Sequence, residues 1–446
     1  MKITLRKFAP LLLATTVLGA CGDDNGAGPD GGGTPTPPRV IAGGGIGDGP
    51  IAGVVNVYVI DDLTRAPVEG AQVRVGEVEG STDATGLFVA TGVTGPQTVL
   101  VKADSYRSEM WIGANGANLT FDLNDGAAAA PTTATVKGAL SLASFPALAT
   151  NHVYFASVAY SQDDRATDEL NNLVTTNNTQ QCLFTAANLA TACQYTVTTR
   201  VGKLALFSPI YDVDTKGTAV LTDDANTIVG WAFHTGLTTT ANGTLTDIAM
   251  QLVPTNMTEA VSVDFGTPPG TLSMRGAAIG LDTDTDGTMQ MVFIAPTANA
   301  TYVPKVDAIP GSTTRRLTAV ASDGATAPLQ SIVLRRGLTG TQLAAGTWLA
   351  PIANTTATRT TAAWSPVTGA TVHGIEYTQG TAHLLNISVL DATASVTIPD
   401  FVSLPAGALT AKIQAIGAPG LDVNDFALDT DRTKLAEVTA KTIQLD

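Results

Sequence analysis

The chain has 446 residues and a formal charge of −15, with 44% hydrophobic, 14% charged and 5% aromatic side chains. That length holds about three domains of ~150 residues, and the hydrophobic content sets the chain apart from disordered ones. An acidic surface repels phosphate backbones, so nucleic acid is excluded as a partner. Much of the rest is Gly, Ala, Thr, Ser, Asn and Val. Thr and Val suit pleated, half-buried strands, while Gly, Asn and Asp suit turns. The expected fold is all-β, a series of β-sandwich domains.

Chemistry begins at the N-terminus. Lys2, Arg6 and Lys7 form a positive region, and Phe8 to Val17 form a short apolar run broken at Pro10. A permanent membrane helix needs ~20 apolar residues, so this run suits a cleavable signal. It closes on Leu18-Gly19-Ala20-Cys21. This run resembles the bacterial lipobox, in which the cysteine thiol accepts a lipid. The resemblance implies a signal peptide over 1–20, cleavage before Cys21, lipidation of Cys21, and a membrane held through that anchor. An ordinary secretory signal with a coincidental cysteine is the alternative. Gly22, rather than Asp, follows the cysteine, which in such lipoproteins implies delivery to the outer membrane, facing the periplasm or the cell surface. The three lost cations would leave the mature chain more acidic still. Residues 21–53 are rich in Gly and Pro and read as a flexible tether.

Residues 54–126 read as the first folded domain. Val55, Val57 and Val59 alternate with Asn56 and Tyr58, and Leu119, Phe121 and Leu123 alternate near the end, the period-2 pattern of strands. Pro67-Val68-Glu69-Gly70-Ala71-Gln72-Val73, followed by Thr82-Asp83-Ala84-Thr85-Gly86-Leu87-Phe88, resembles the carboxypeptidase regulatory-like domain. That family is a transthyretin-like β-sandwich, akin to carbohydrate-binding folds. Ser105 stands where the family often has Gly before Tyr106. The resemblance implies a structural or recognition module. Trp111 and Tyr106 are the aromatics that would stack on a sugar, against the plainer reading that they fill the core or its rim.

The middle region, 127–352, holds recurrent short β-like runs and reads as one or two sandwiches, with a boundary near 256. Within it, Cys182 and Cys193 remain as an even pair once Cys21 is set aside. In an oxidising compartment such a pair reads as a local disulfide, and two reduced buried thiols are the alternative. The segment from Thr167 to Ala192 is expected to form a stapled loop or a short helix. Asp282, Asp284 and Asp286 alternate ahead of Gly287 and resemble the first half of a calcium loop. The twelfth position is Phe293, not Glu, and the following residues read as a strand, so an EF-hand is rejected. A looser calcium turn and a plain acidic hairpin turn remain.

Residues 353–446 form the last expected domain. Thr361 to Ala370, with Trp364, Pro366 and Gly369, resembles the second strand of a fibronectin type III-like sandwich and implies a core role for Trp364. Leu409 stands where many such domains keep a corner tyrosine.

No catalytic set emerges. His152, His234, His373 and His383 are scattered, and the chain has no zinc-protease, nucleophile-elbow or nucleotide motif. No cofactor is expected beyond calcium at the Asp282 turn. The sequence reading is a non-catalytic, lipid-anchored cell-envelope binding module, with an envelope protein or polysaccharide as partner. Its rivals are a carbohydrate-binding surface lipoprotein, a calcium-stabilised adhesin, and a hydrolase with dispersed carboxylates.

Overall fold

A computed structural model describes residues 37–62, 64–124, 133–162, 180–218, 224–270, 272, 274–283, 287–294, 301–431 and 434–445. The architecture is nearly all β, as expected. Sandwiches follow one another along the chain, yet they share strands in space. A twelve-stranded sheet runs through three of them. It begins with strands of the first sandwich (Val78–Ser81, Gln72–Val75, Gln97–Lys102, Ser108–Ala114). It continues through the last (Ala382–Val389, Val372–Gln379, Leu409–Gly417, Glu437–Leu445) and ends in the middle region (Leu329–Leu338, Ser312–Ser322, Met274–Thr283, Gly287–Ile294).

The first junction in that sheet is a parallel pairing of Ser108–Ala114 with Ala382–Val389. Strand alternation sends successive side chains to opposite faces, and the two sandwiches use opposite ones. Val99, Val101 and Trp111 point into the first core, against a five-stranded sheet that includes Ala52–Asp61 and Asn118–Leu123. Leu100 and Met110 point the other way, into the last core, in register with Ile387, Ile375 and Ile413. Trp364 lies in that last core. The first core is completed from the far end of the sequence by Leu390 and Phe426. Phe426 lies 6.2 Å from Trp111, and Trp111 stacks on Phe121 at 4.0 Å.

The middle region has two cores. One lies within 136–252 and carries the Cys182–Cys193 disulfide, with the two Cα atoms 5.9 Å apart. The other mixes Phe207, Trp231 and Phe233 with Val261, Ile279, Leu317 and Val333. Arg315 staples this second part. Its guanidinium is fully buried, donates to the carbonyls of Thr339, Gly340 and Pro304, and pairs with Glu259.

Part of the tether expected over residues 21–53 is folded. A Gly/Pro-rich stretch was expected to stay outside the fold up to residue 53, but Ile41, Ile46 and Ile51 are buried and Gly45–Gly47 is a strand. Three isolated isoleucines among glycines give no periodicity, so their burial depends on tertiary partners that sequence patterning cannot display.

Candidate functional site: a polar row between the first and last sandwiches

Where the first and last sandwiches share their sheet, one face is charged. The register sets Glu109 beside Asn386, Asn386 opposite Glu376, and Glu376 opposite Lys412. These four side chains form one row across four strands. The apolar row on the other face faces the last core, so alternation sends this one toward the cover supplied by the first sandwich. Glu109 is 5%, Glu376 6% and Lys412 9% exposed. Buried charges are tolerated only when paired and hydrogen-bonded, and the two acids of this row have both kinds of partner. Arg107 Nε donates to Glu109 Oε1 at 2.8 Å, and Asn386 Nδ2 donates to Glu109 Oε2 at 2.8 Å. Arg107 also lies 3.9 Å from Glu376. His383 Nδ1 lies 2.6 Å from Glu376 Oε1. Leu385 is opposite Tyr377 and His383 opposite Thr378, so a bulge takes up Leu384 and turns His383 onto the charged face.

The same surroundings pull the acids apart electrostatically. Burial pushes the Glu109 carboxyl up, against the opposing pull of Arg107 and Asn386. Burial would raise Glu376 too, but the hydrogen bond with His383 and the charges of Lys412, His383 and Arg107 hold it below the usual value. Asp122, on the neighbouring sheet, is raised well above the usual carboxylate range by burial and by the charges of Asp62 and Glu109. The arrangement ties carboxylates to cations in pairs. Its chemistry is that of a joint between two sandwiches whose sequences lie far apart.

The outer side of the same junction is held differently. Lys102 Nζ donates to the Phe401 carbonyl at 2.9 Å and lies 4.7 Å from the ring centroid, with Arg74 at 5.2 Å. Cations over an aromatic face are attracted by its quadrupole. Beside them is an open groove of about 380 Å³ floored by Leu100, Met110, Ile112 and Val396.

The residues singled out in the sequence do not converge. Cys21 lies outside the described residues, as do Asp284 and Asp286. Asp282 is described, and its carboxylate is 3.0 Å from Arg316 and accepts from Thr314 Oγ1 at 3.3 Å. Trp111 is 6% exposed and packs in the first core, so it offers no sugar platform. Tyr106 donates its hydroxyl to Asp61 Oδ2 at 2.9 Å. His152 pairs with Asp212 at 2.7 Å, and His234 Nδ1 meets the Ala249 carbonyl at 2.8 Å. His373 stacks on Trp364 at 5.6 Å and accepts from the Val367 amide, and burial pushes its pKa down. Among the described residues, no three His, Cys, Asp or Glu side chains are placed to hold a metal ion. The charged row itself was missed. Its one visible signal is parity, since Glu109 is two residues from a core tryptophan and therefore shares its face.

No protein-family model matches the chain, and no curated protein matches it. Among solved structures, the chain is similar to the major pilin subunit of Bacillus cereus, at 8% identity and a TM-score of 0.16, over 66% of this chain and 97% of that one. The TIE protein of Bacillus anthracis aligns at 9% identity and 0.14, over 66% of this chain and 49% of that one. A calcium-stabilised adhesin with which an Antarctic bacterium binds ice aligns at 11% identity and 0.14, over 90% of this chain and 100% of that one. Likenesses this weak carry no inference about site or ligand.

Proposed function

We propose that the chain is an exported lipoprotein, cut before Cys21 and held by lipid on that cysteine to the outer membrane, whose β body acts without catalysis as a binding and interaction module. The observation that carries this reading is the Leu18-Gly19-Ala20-Cys21 run, placed directly after a basic and then an apolar segment. Two or more acyl chains anchor stably where one does not. The fold supports the reading in a second way. Its row of buried charges at Glu109, Glu376 and Lys412 joins two sandwiches, the economy of a scaffold more than of a reaction centre. No helix among the described residues is long and apolar enough to cross a membrane. The sugar-binding variant of the reading has lost its proposed platform, because the Trp111 ring is in the core.

The test is metabolic labelling with radiolabelled palmitate in the native host. Label that fractionates with outer membrane and disappears in Cys21→Ser supports the proposal. An unlabelled protein released into the soluble fraction refutes it. Protease shaving of intact cells then separates a surface-facing body, which is clipped, from a periplasmic one, which survives.

A further inference from the structure

Residues 39–47 precede the first long strand, and two segments far apart in sequence hold them. Gly45–Gly47 pairs on one side with Asn118–Leu123 of the first sandwich and on the other with Phe426 and Ala427 near the C-terminus. The Leu428 amide donates to the Gly44 carbonyl at 2.9 Å, and the Asp429 amide to the Ala42 carbonyl at 3.3 Å. On the first-sandwich side, the Ile41 amide donates to Thr120 Oγ1 at 2.8 Å and the Arg39 amide to Asn118 Oδ1 at 3.1 Å. Ile41 and Ile46 are its buried side chains.

The seat is narrow. The paired strand is three residues long. Gly43, Gly44 and Gly45 all have positive φ, at 73°, 97° and 143°, so the approach to the strand is a path that only glycine takes without strain. A Cβ at Gly45 would lie 2.1 Å from the Phe426 carbonyl oxygen, and one at Gly43 would meet the Asp429 carboxylate. Glycine also gains the most backbone freedom on release. The neighbouring strand Ala52–Asp61, by contrast, is ten residues long, paired on both sides, and carries fully buried Val55, Val57 and Val59. Short segments with few buried apolar groups open before long ones do.

We propose that residues 39–47 are a strap that unseats while the sandwiches stay folded, and that the C-terminal segment Phe426–Asp429 is the clasp that holds it. The consequence for reach rests on the Cys21 reading. With the strap seated, the chain from Cys21 to Pro37 can span at most about 55 Å, and with the strap released as far as Gly47 the limit is about 90 Å. The clasp would thus set how far the body stands from its membrane.

The test is hydrogen exchange on the full chain carrying Cys21→Ser, which removes the lipid from the question. The expected result is exchange at Gly44–Gly47 about 100-fold faster than at Val57, Val59 and Leu119. Equal protection of the two groups would overturn the strap. Gly45→Val is the second measurement. It should speed exchange further at 43–47 and at 426–429 while leaving Ala52–Asp61 protected. If the whole first sandwich loses protection in this variant, the segment is an integral strand and the proposal fails. Palmitate labelling reports separately. A failure there removes the membrane consequence and leaves the strap standing.

Discussion

Two joints in this molecule solve one problem in different ways. The two parts of the middle region meet through a shared apolar core, in which Phe207, Trp231 and Phe233 mix with Val261, Ile279 and Leu317. The first and last sandwiches meet through shared strands and a row of charged and polar side chains, Glu109, Asn386, Glu376 and Lys412. An apolar joint tolerates substitutions that keep its volume. A charged joint does not, because each partner left alone keeps its full desolvation cost. The first kind supplies stability. The second makes stability depend on pairing and on pH.

Four substitutions or treatments would break or sharpen this contrast. The largest effect is expected at the apolar joint. Trp231→Ala removes a ring only 1% exposed and a hydrogen bond from its Nε1 to the Tyr302 carbonyl. It should cost about 3–5 kcal/mol in denaturant unfolding, with little dependence on pH. Glu376→Gln should cost about 3 kcal/mol at neutral pH, since it leaves Lys412 and Arg107 facing a neutral group. The sign with pH is fixed by Glu376 being lowered in the fold. Its contribution is present above the ordinary value of 4.5 and is lost as pH falls through the folded value. Acid-induced destabilisation measured at pH 3–5 should therefore shrink in the variant. Reduction of Cys182–Cys193 should cost about 2–3 kcal/mol for a loop of this size, read as a lower melting temperature under reductant. Asp122→Asn is the smallest effect and has the opposite sign. A raised carboxyl favours the fold below its ordinary value of 3.8 and opposes it as pH rises through the folded one. The neutral amide should stabilise the protein by about 1 kcal/mol at pH 7.

The contrast also explains what the sequence made legible. Val55-Val57-Val59 and Leu119-Phe121-Leu123 announce strands because one face is apolar and the other is not. All six residues are buried in the first core. The cysteine pair was legible from its even count. The charged joint was not. Lys412 and Gln414 alternate with Ala411, Ile413 and Ala415 and read as an outward, solvated face. Both are buried all the same, in a sheet that joins strands some 300 residues apart in the chain. Period-2 alternation separates two faces of a strand but does not say which of them water reaches. Ile46 was lost for a related reason, since its cover includes Phe426 near the C-terminus. Pairings between distant segments leave no local pattern.

The central structural claim is that the first sandwich depends on the last. Truncating the chain after Ile352 tests it directly, by comparing hydrogen exchange at Val55, Val57 and Val59 in the truncated and full-length proteins. The account predicts that protection of these amides collapses, because the shared strand, Leu390 and Phe426 are gone from the first core. Undiminished protection would contradict it and mean that the first sandwich stands by itself, merely resting against the last.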